Sequence, residues 1–253
     1  MYTFIENDLI YAAANLPLSW EAKFIGRGTR GAANGLLAKV YLTQQKWGLA
    51  MGTAGTVMSS GQYDLSTTYD KIFREEGENS KESVFEVQAT ASAQTQTANG
   101  VQYAQIMGVR GAGSWDIGWG WNTPSTNLEA AYEPNDPRKN RTILYLSTTT
   151  TTNLSIYGEV MPVYTSPTGS PPNPRYNNKV YSNPAIRASV GHRFGYWMNI
   201  RLLRYADVVL MYAEAANEVG GATNITAART ALNSVRARAR SGAPAGTLPD
   251  VNS

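Results

Sequence analysis

The stretch RYADVVLMYAEAANEVGG, residues 204–221, contains the clearest helix pattern in the chain. Small and apolar residues recur in and just before it at intervals of three or four, which is the spacing of one helix face: Leu202, Ala206, Val209, Ala213 and Ala216. Gly220 and Gly221 follow where a helix C-cap is expected. We therefore predict a helix that starts near Leu202 and ends before Gly220.

A second helix is predicted directly after the two glycines, and the two together form a hairpin. Its apolar positions follow the same spacing and again include alanines: Ile225, Ala228, Leu232, Val235 and Ala239. Small residues along the contact line allow two helix axes to approach closely. The end of the chain is thus expected to be an antiparallel helical hairpin.

The first third of the chain predicts helices of the same kind. A short helix is expected over residues 3–14, where Thr3 and Glu6 have the spacing of a capping box. Thr29 is the expected N-cap of a second helix. A third helix has these residues on one face: Trp47, Ala50, Ala54 and Val57. Short helices joined tightly through small residues indicate tetratricopeptide-like hairpins.

The middle of the chain has a different composition. Residues 83–91 alternate as in a strand, residues 147–153 are β-branched and predict an exposed strand or loop, and the proline-rich residues 166–184 predict no regular structure. We predict a mainly α fold, with tetratricopeptide-like helical hairpins and a long irregular, partly β insertion. The expected divisions of this one domain are helical hairpins over 1–60, a ligand-binding insertion over 61–195 and a helical hairpin over 196–253.

Composition excludes several classes of function. The 253 residues include 22 Lys and Arg against 19 Asp and Glu, so the net charge of +3 does not indicate a nucleic-acid partner. The absence of cysteine excludes disulfides and thiolate metal sites within this chain. Its single histidine, His192, cannot form a site of several histidines and is interpreted as a loop residue. No metal site and no cofactor are predicted.

Two acids within the opening stretch raise the possibility of catalysis. Asp207 and Glu214 lie seven residues apart on the helix, which separates them by about 10 Å along its axis. Inverting glycosidases place their two carboxyl groups about 6.5 to 9.5 Å apart, so side-chain bending would be needed. Ion pairs with Arg201, Arg204 or Arg236 are the favoured interpretation.

The sequence GRGTRG, residues 26–31, matches the GxGxxG pattern of dinucleotide sites. That motif also needs a preceding strand and an acidic residue about 20 positions later. Position 51 is Met, and a helical hairpin follows instead. We interpret the glycines as shaping the turn into the helix that Thr29 caps.

Residues 114–122, SWDIGWGWN, are the strongest candidate for a binding surface. Trp115, Trp119 and Trp121 lie at odd positions, and in an extended segment that period places all three indoles on one side. An indole next to polar groups can stack on the C–H face of a sugar ring while its hydroxyls form hydrogen bonds. Two readings stay open: the indoles fill a core, or they form a ligand platform with Trp115 the most exposed.

Three segments resemble the SusD/RagB family of surface glycan-binding lipoproteins. These are residues 8–17 together with 26–47, the Gly-Trp stretch with its Asp-x-Arg signature at 118–138, and the hairpin at 198–221 followed by ALNSVRARA at 231–239. They occur in the order in which that family has them. The resemblance covers nearly the whole chain and about half the family's length, so the signal peptide, the lipidated cysteine and the closing region are expected outside it.

The resemblance implies a non-catalytic role on the outer face of the outer membrane. Members capture oligosaccharides or polysaccharides and pass them to a SusC-like TonB-dependent transporter, and a lipid anchor holds them at the membrane. It also implies that Asp207 and Glu214 are framework residues that tie two hairpins together. A sugar-acting enzyme such as a glycoside hydrolase, and a purely structural helical scaffold, are the alternatives.

The resemblance further implies that Trp121, Asn122, Pro124 and Ser125 lie in a framework segment, since ligand contacts in the family come from neighbouring irregular loops. No carbohydrate-binding residue transfers individually. The predicted ligand-binding residues are Trp115, Trp119, Tyr103 and Asp116, with Gln102, Arg110 and Asn122 as lesser candidates.

Overall fold

The computed structural model of the protein describes residues 1–91, 103–193 and 196–252. The chain divides into two compact units. One, here called the helical unit, comprises Met1–Val87 and Arg201–Ser253, and the other, here called the insertion unit, comprises Gln88–Ile200.

The regular elements of the described residues are, in chain order, α1 (Tyr2–Asn15), α2 (Arg30–Thr43), α3 (Trp47–Met58), β1 (Ser83–Val87), α4 (Tyr103–Met107), α5 (Thr126–Ala130), α6 (Arg138–Thr142), β2 (Ile143–Tyr145), β3 (Arg175–Asn177), α7 (Pro184–Val190), β4 (Ile200–Arg204), α8 (Tyr205–Val219) and α9 (Ala222–Ala239). Strand β1 pairs with β4. Strand β2 pairs with β3 antiparallel, with Leu144 opposite Tyr176.

Small residues hold the helical unit together. Helix α1 packs against α2, α2 against α3, α3 against α8, and α8 against α9. Alanines occupy these contacts and are almost fully buried, including Ala38, Ala50, Ala54, Ala215 and Ala216. Because an alanine side chain adds little bulk, the helix axes can lie close together. The predicted mainly α fold with hairpins of the tetratricopeptide type is confirmed.

Four helix ends predicted from the sequence can be compared with the structure, and two of these predictions are confirmed. Thr29 caps α2, since its hydroxyl accepts a hydrogen bond from the N–H of Ala32 at 3.1 Å, and Gly220 ends α8. The capping box at Thr3 is wrong, because α1 begins one residue earlier and its N-cap is Met1. The start of α8 is also wrong, because Leu202 lies in strand β4.

The first of the two questioned acids has a structural role. Asp207 accepts hydrogen bonds from the side chain of Arg204 at 2.9 Å and from its backbone N–H at 3.2 Å, which forms a capping box at the start of α8. Glu214 is exposed, and no ion pair to it is found in the described part of the chain. The expectation that Glu214 ties two hairpins together is therefore wrong.

A carboxylate that the sequence did not indicate connects the helices instead. Glu82 is 2% exposed and lies 3.2 Å from the guanidinium of Arg204 and 3.1 Å from that of Arg238. It therefore connects the start of β1 to α8 and α9. Burial raises the pKa of Glu82, and the two arginines oppose that shift. Arg238, in the last turn of α9, is thus a structural partner of Glu82.

The insertion unit has its own core of aromatic and aliphatic side chains. Its largest fully buried members are Tyr176, Tyr181, Met161 and Met198. The prediction that residues 166–184 lack regular structure is wrong, because strand β3 lies within this range. Tyr176 explains the strand: it is wholly buried and its hydroxyl donates to the carbonyl of Arg110 at 3.2 Å.

Candidate functional site

Residues 113–121 of the insertion unit form a strip that lies against the short helix α4. Gly113–Trp115 is a single 3-10 turn, and residues 117–121 follow it without regular secondary structure. The backbone N–H groups of Trp119, Gly120 and Trp121 donate to the carbonyls of Gln105, Gly108 and Ile106 at 2.9 to 3.0 Å. These hydrogen bonds fix the position of the strip.

The tryptophans of the strip have different environments, so the predicted common side is wrong. Trp115 lies in the 3-10 turn, where it is partly buried and packs against the core of the insertion unit. Ile117 is buried although it shares the odd spacing of Trp119. Trp119 is 43% exposed and Trp121 is 66% exposed. The expectation that Trp115 is the most exposed indole is therefore also wrong.

Asp116 and Trp119 are brought together by a residue that the sequence did not indicate. The guanidinium of Arg193 forms an ion pair with the carboxylate of Asp116. The same guanidinium lies over the Trp119 ring, with 4.1 Å from its carbon to the ring centroid. Trp119, Arg193 and Asp116 are called the triad below. Arg193 is 77 positions from Asp116 in the chain, which is why no local pattern reveals it.

A recess of ≈ 430 Å³ adjoins the triad. Its volume lies within the range that small ligands occupy. Its charged and aromatic lining residues are Asp116, Glu159, Arg187, Arg193 and Tyr196, and His192 also lines it. Arg187 pairs with Glu159 at 2.7 Å. Burial raises the pKa of Tyr196 to about 12, so its hydroxyl stays protonated at neutral pH.

The other predicted residues lie at varying positions around the strip. Arg110 is exposed and its backbone forms an antiparallel bridge with Asp116. The Tyr103 hydroxyl donates to the carbonyl of Asn199 at 3.1 Å, and the Asn122 amide contacts the sulfur of Met107 at 3.6 Å. Gln102 lies outside the described residues. Of the six predicted residues that the structure describes, Asp116 alone lines the recess, and Trp119 adjoins it through Arg193.

The glycines of the strip serve close packing. A Cβ on Gly118 would lie 2.5 Å from the backbone of Gly108, and Gly118 itself is buried. Gly120 has a φ of +69°, and a Cβ there would lie 2.8 Å from the Cβ of Arg110. The strip can lie on α4 because these two positions have no side chain.

A second ionic group supports the chain that follows the strip. The Tyr145 hydroxyl donates to Glu129 at 2.8 Å, and Arg175 forms an ion pair with the same carboxylate. The Arg175 Nε also donates to the carbonyl of Pro124 at 2.8 Å. The hydrogen bond from Tyr145 is the largest cause of a lowered pKa at Glu129. Helix α5 is thereby tied to strands β2 and β3.

Another recess, of ≈ 480 Å³, lies in the helical unit beside Trp20 and Arg27. The single carboxylate among its lining residues, Glu86, is 3% exposed and lies 3.5 Å from Arg201. A buried and paired carboxylate is poorly available to a ligand. The recess beside the triad is therefore the better candidate, because the side chain of Asp116 is 51% exposed.

Neither a metal centre nor a membrane-spanning helix is found in the part of the chain that the structure describes. No group of three or more acidic, histidine or cysteine side chains is placed to hold an ion there. No helix there has the length and apolar character needed to cross a bilayer.

Comparison with known proteins identifies the family. The model of the SusD family matches residues 50–248. The chain belongs to the SusD family. A SusD-like protein of Bacteroides ovatus is 36% identical over 99 residues, which are 35% of this chain and 18% of that protein. SusD-like protein P2 of Formosa agariphila is 27% identical over 258 residues, covering 100% of this chain and 49% of that protein.

Solved structures of SusD-like proteins share the fold. A SusD-like protein from Bacteroides fragilis has a TM-score of 0.77 at 23% identity, covering 100% of this chain and 53% of that one. A laminarin-binding SusD-like protein has 0.74 at 26% identity, covering 97% and 54%. Surface glycan-binding protein A from Bacteroides thetaiotaomicron, solved with laminarihexaose, has 0.74 at 21% identity, covering 99% and 55%. This chain therefore spans about half the length of these relatives.

Proposed function

We propose that this protein binds glycans at the cell surface, and that the triad and the adjoining recess contact the sugar. The observation that carries the proposal is the meeting of an exposed indole, a guanidinium and an exposed carboxylate at one place. The indole offers a flat apolar surface, the carboxylate accepts hydrogen bonds from hydroxyls, and the guanidinium donates them. The laminarin-binding relative and the complex with laminarihexaose support the same function.

The magnitude of binding that follows is modest. An aromatic contact supplies about 0.5 to 1.5 kcal/mol beyond the area that it buries. One or two such contacts with a few hydrogen bonds correspond to dissociation constants from about micromolar to millimolar. A receptor that releases its glycan to a transporter needs affinity of this kind.

The partners and location of the whole protein are part of the same proposal. We infer from family membership a SusC-like TonB-dependent transporter as partner and a lipid anchor at the outer face of the outer membrane. The protein is inferred to capture glycan and pass it on without cleaving it. The remaining predicted residues near the strip, namely Trp115, Tyr103, Arg110, Asn122 and Gln102, are proposed as secondary contacts or supports.

Calorimetric titration and affinity gels with a panel of polysaccharides test the function on the full-length protein. We expect at least one glycan to bind, and we expect Trp119→Ala to weaken that binding by about 5- to 20-fold because a stacking surface is lost. Phe4→Ala is the matched control, since Phe4 is 70% exposed on α1 of the other unit. Binding to none of the glycans, or equal loss in both variants, would contradict the proposal.

The alternative of a glycoside hydrolase has one observation in its favour, since two carboxylates, Asp116 and Glu159, line the recess. Each of them is ion-paired with an arginine, Arg193 and Arg187 respectively. An enzyme would release reducing ends from a bound glycan, and Asp116→Asn would abolish that release. We expect no release from either protein.

A further inference from the structure

We propose that the site takes an uncharged saccharide and discriminates against glycans that carry carboxylate or sulfate groups. This inference rests on the proposed function and names the class of glycan for that site. The basis of this inference is that each of the two guanidinium groups lining the recess forms an ion pair with a carboxylate of the protein.

The first matched pair is Arg193 with Asp116. The Arg193 side chain is 15% exposed, and its guanidinium lies between the Asp116 carboxylate and the Trp119 ring. Asp116 accepts a hydrogen bond from Nη1 of Arg193, so its carboxylate occupies one of the positions at which a carboxylate or sulfate of a ligand would bind the guanidinium. A carboxylate or sulfate of a ligand bound to this guanidinium would therefore lie beside the carboxylate of Asp116, which repels it.

The second matched pair is Arg187 with Glu159. Their atoms lie 2.7 Å apart, and the Tyr181 hydroxyl donates to the other carboxylate oxygen at 2.6 Å. The Arg187 side chain is 14% exposed, so it is largely enclosed by this arrangement. Among the described residues that line the recess, the charges of two carboxylates and two guanidiniums balance, and His192 is the one other basic side chain.

Of the four charged groups in these two ion pairs, the carboxylate of Asp116 is the most exposed. The Asp116 side chain is 51% exposed, against 28% for Glu159 and 15% or less for the two arginines. The most solvent-accessible group of the two ion pairs is thus a carboxylate. A carboxylate accepts hydrogen bonds from sugar hydroxyls, whereas it repels a uronate or a sulfate at short range.

The experiment compares one polymer in two charge states. The neutral polysaccharide that binds the full-length protein is oxidised at its primary hydroxyls to the matching polyuronate, and both are titrated by calorimetry at low and high salt. We expect the wild type to bind the neutral polymer at least about tenfold more tightly at low salt, since an unscreened like-charge contact costs more than one such factor. The difference is expected to shrink at high salt.

Variants at Asp116 separate charge from shape. Asp116→Asn keeps the size of the side chain and is expected to bring the two affinities within about threefold, because Arg193 becomes available to the uronate. Asp116→Glu keeps the charge and is expected to keep the preference for the neutral polymer. Thermal unfolding checks that each variant folds, and the exposure of Asp116 favours this.

The outcomes are distinct. Preference of the wild type for the polyuronate, or an unchanged preference in Asp116→Asn, would overturn this inference and leave glycan binding intact. If Arg110→Gln removes the binding of an anionic glycan, the exposed Arg110 forms an anion site and the inference is overturned as well. Binding to neither neutral nor anionic polymers would overturn the proposed function together with it.

Discussion

Trp115 and Trp121 lie at the two ends of one strip and meet opposite surroundings. Trp115 packs against the core of the insertion unit, whereas Trp121 is 66% exposed. Their spacing in the sequence is compatible with a shared face only if the segment is extended throughout. The 3-10 turn at Gly113–Trp115 breaks that condition. Sequence could identify the residue types of the site, but one turn decided which indole faces solvent.

Trp115→Ala is expected to lower the free energy of unfolding by about 2 to 3 kcal/mol, because a partly buried indole leaves a cavity. Trp121→Ala is the matched control, and we expect its effect to stay within about 0.5 kcal/mol, as for other surface positions. Urea denaturation followed by circular dichroism measures both. Equal stability of the two variants would show that Trp115 does not pack as described.

Arg193 shows a second limit of prediction from sequence, again at the scale of single residues. The pair that it forms with Asp116 joins positions 77 apart, and nothing in the sequence around either residue indicates the other. The same is true of Glu82 with Arg238. By contrast, Asp207 and Arg204 are three residues apart at the start of α8, and Arg204 was among the three arginines that the sequence offered as partners.

At the scale of elements, the helices were the most predictable part of the fold. Helices α2, α3, α8 and α9 follow from the spacing of alanines and aliphatic residues, because a periodic apolar face needs no knowledge of distant partners. Strand β3 was missed because its neighbours are prolines, and it exists through pairing with β2. The short helix α4 and the strip depend on close packing of two backbones.

Gly118→Ala tests that packing. The added Cβ would lie 2.5 Å from backbone atoms of Gly108, so we expect a loss of about 2 kcal/mol or more in stability. Gly52→Ala in helix α3 is the control, since a Cβ there meets nothing within 4 Å. It should stabilise the protein by about 0.5 to 1 kcal/mol, because alanine favours helix. Equal effects of the two changes in urea denaturation would contradict the close approach.

The lowered pKa of Glu129 predicts how its contribution to stability depends on pH. Its pKa is lowered in the folded protein, chiefly by the Tyr145 hydroxyl, so its stabilising contribution is present above the ordinary value of 4.5. That contribution is lost as pH falls through the lowered pKa. We expect Glu129→Gln to reduce the urea midpoint at pH 6 and to match the wild type at the acid end of the titration.

Glu214→Gln is the control for this titration, because Glu214 is an exposed acid. Its urea midpoint at pH 6 is expected to equal that of the wild type. A Glu129→Gln variant that behaves like Glu214→Gln would show that the contacts of Glu129 with Tyr145 and Arg175 do not stabilise the fold.

At the scale of the whole molecule, the two units contribute different parts of this SusD family protein. The helical unit supplies a frame of alanine-lined helix contacts, and the insertion unit supplies its own core and the triad. The helices of this frame were predicted from sequence, apart from the starts of α1 and α8, because they depend on local periodicity. The recess was not, because it depends on residues from the strip, from Glu159 and from the end of α7, which are distant in the chain.

A crystal structure of the full-length protein with the best-binding oligosaccharide tests the central claim most directly. We predict a sugar ring in van der Waals contact with Trp119, with hydroxyls hydrogen-bonded to Asp116 and Arg193 and the chain continuing over the recess. A sugar bound at another place, with Trp119 and Asp116 free of contact, would contradict the assignment of this site.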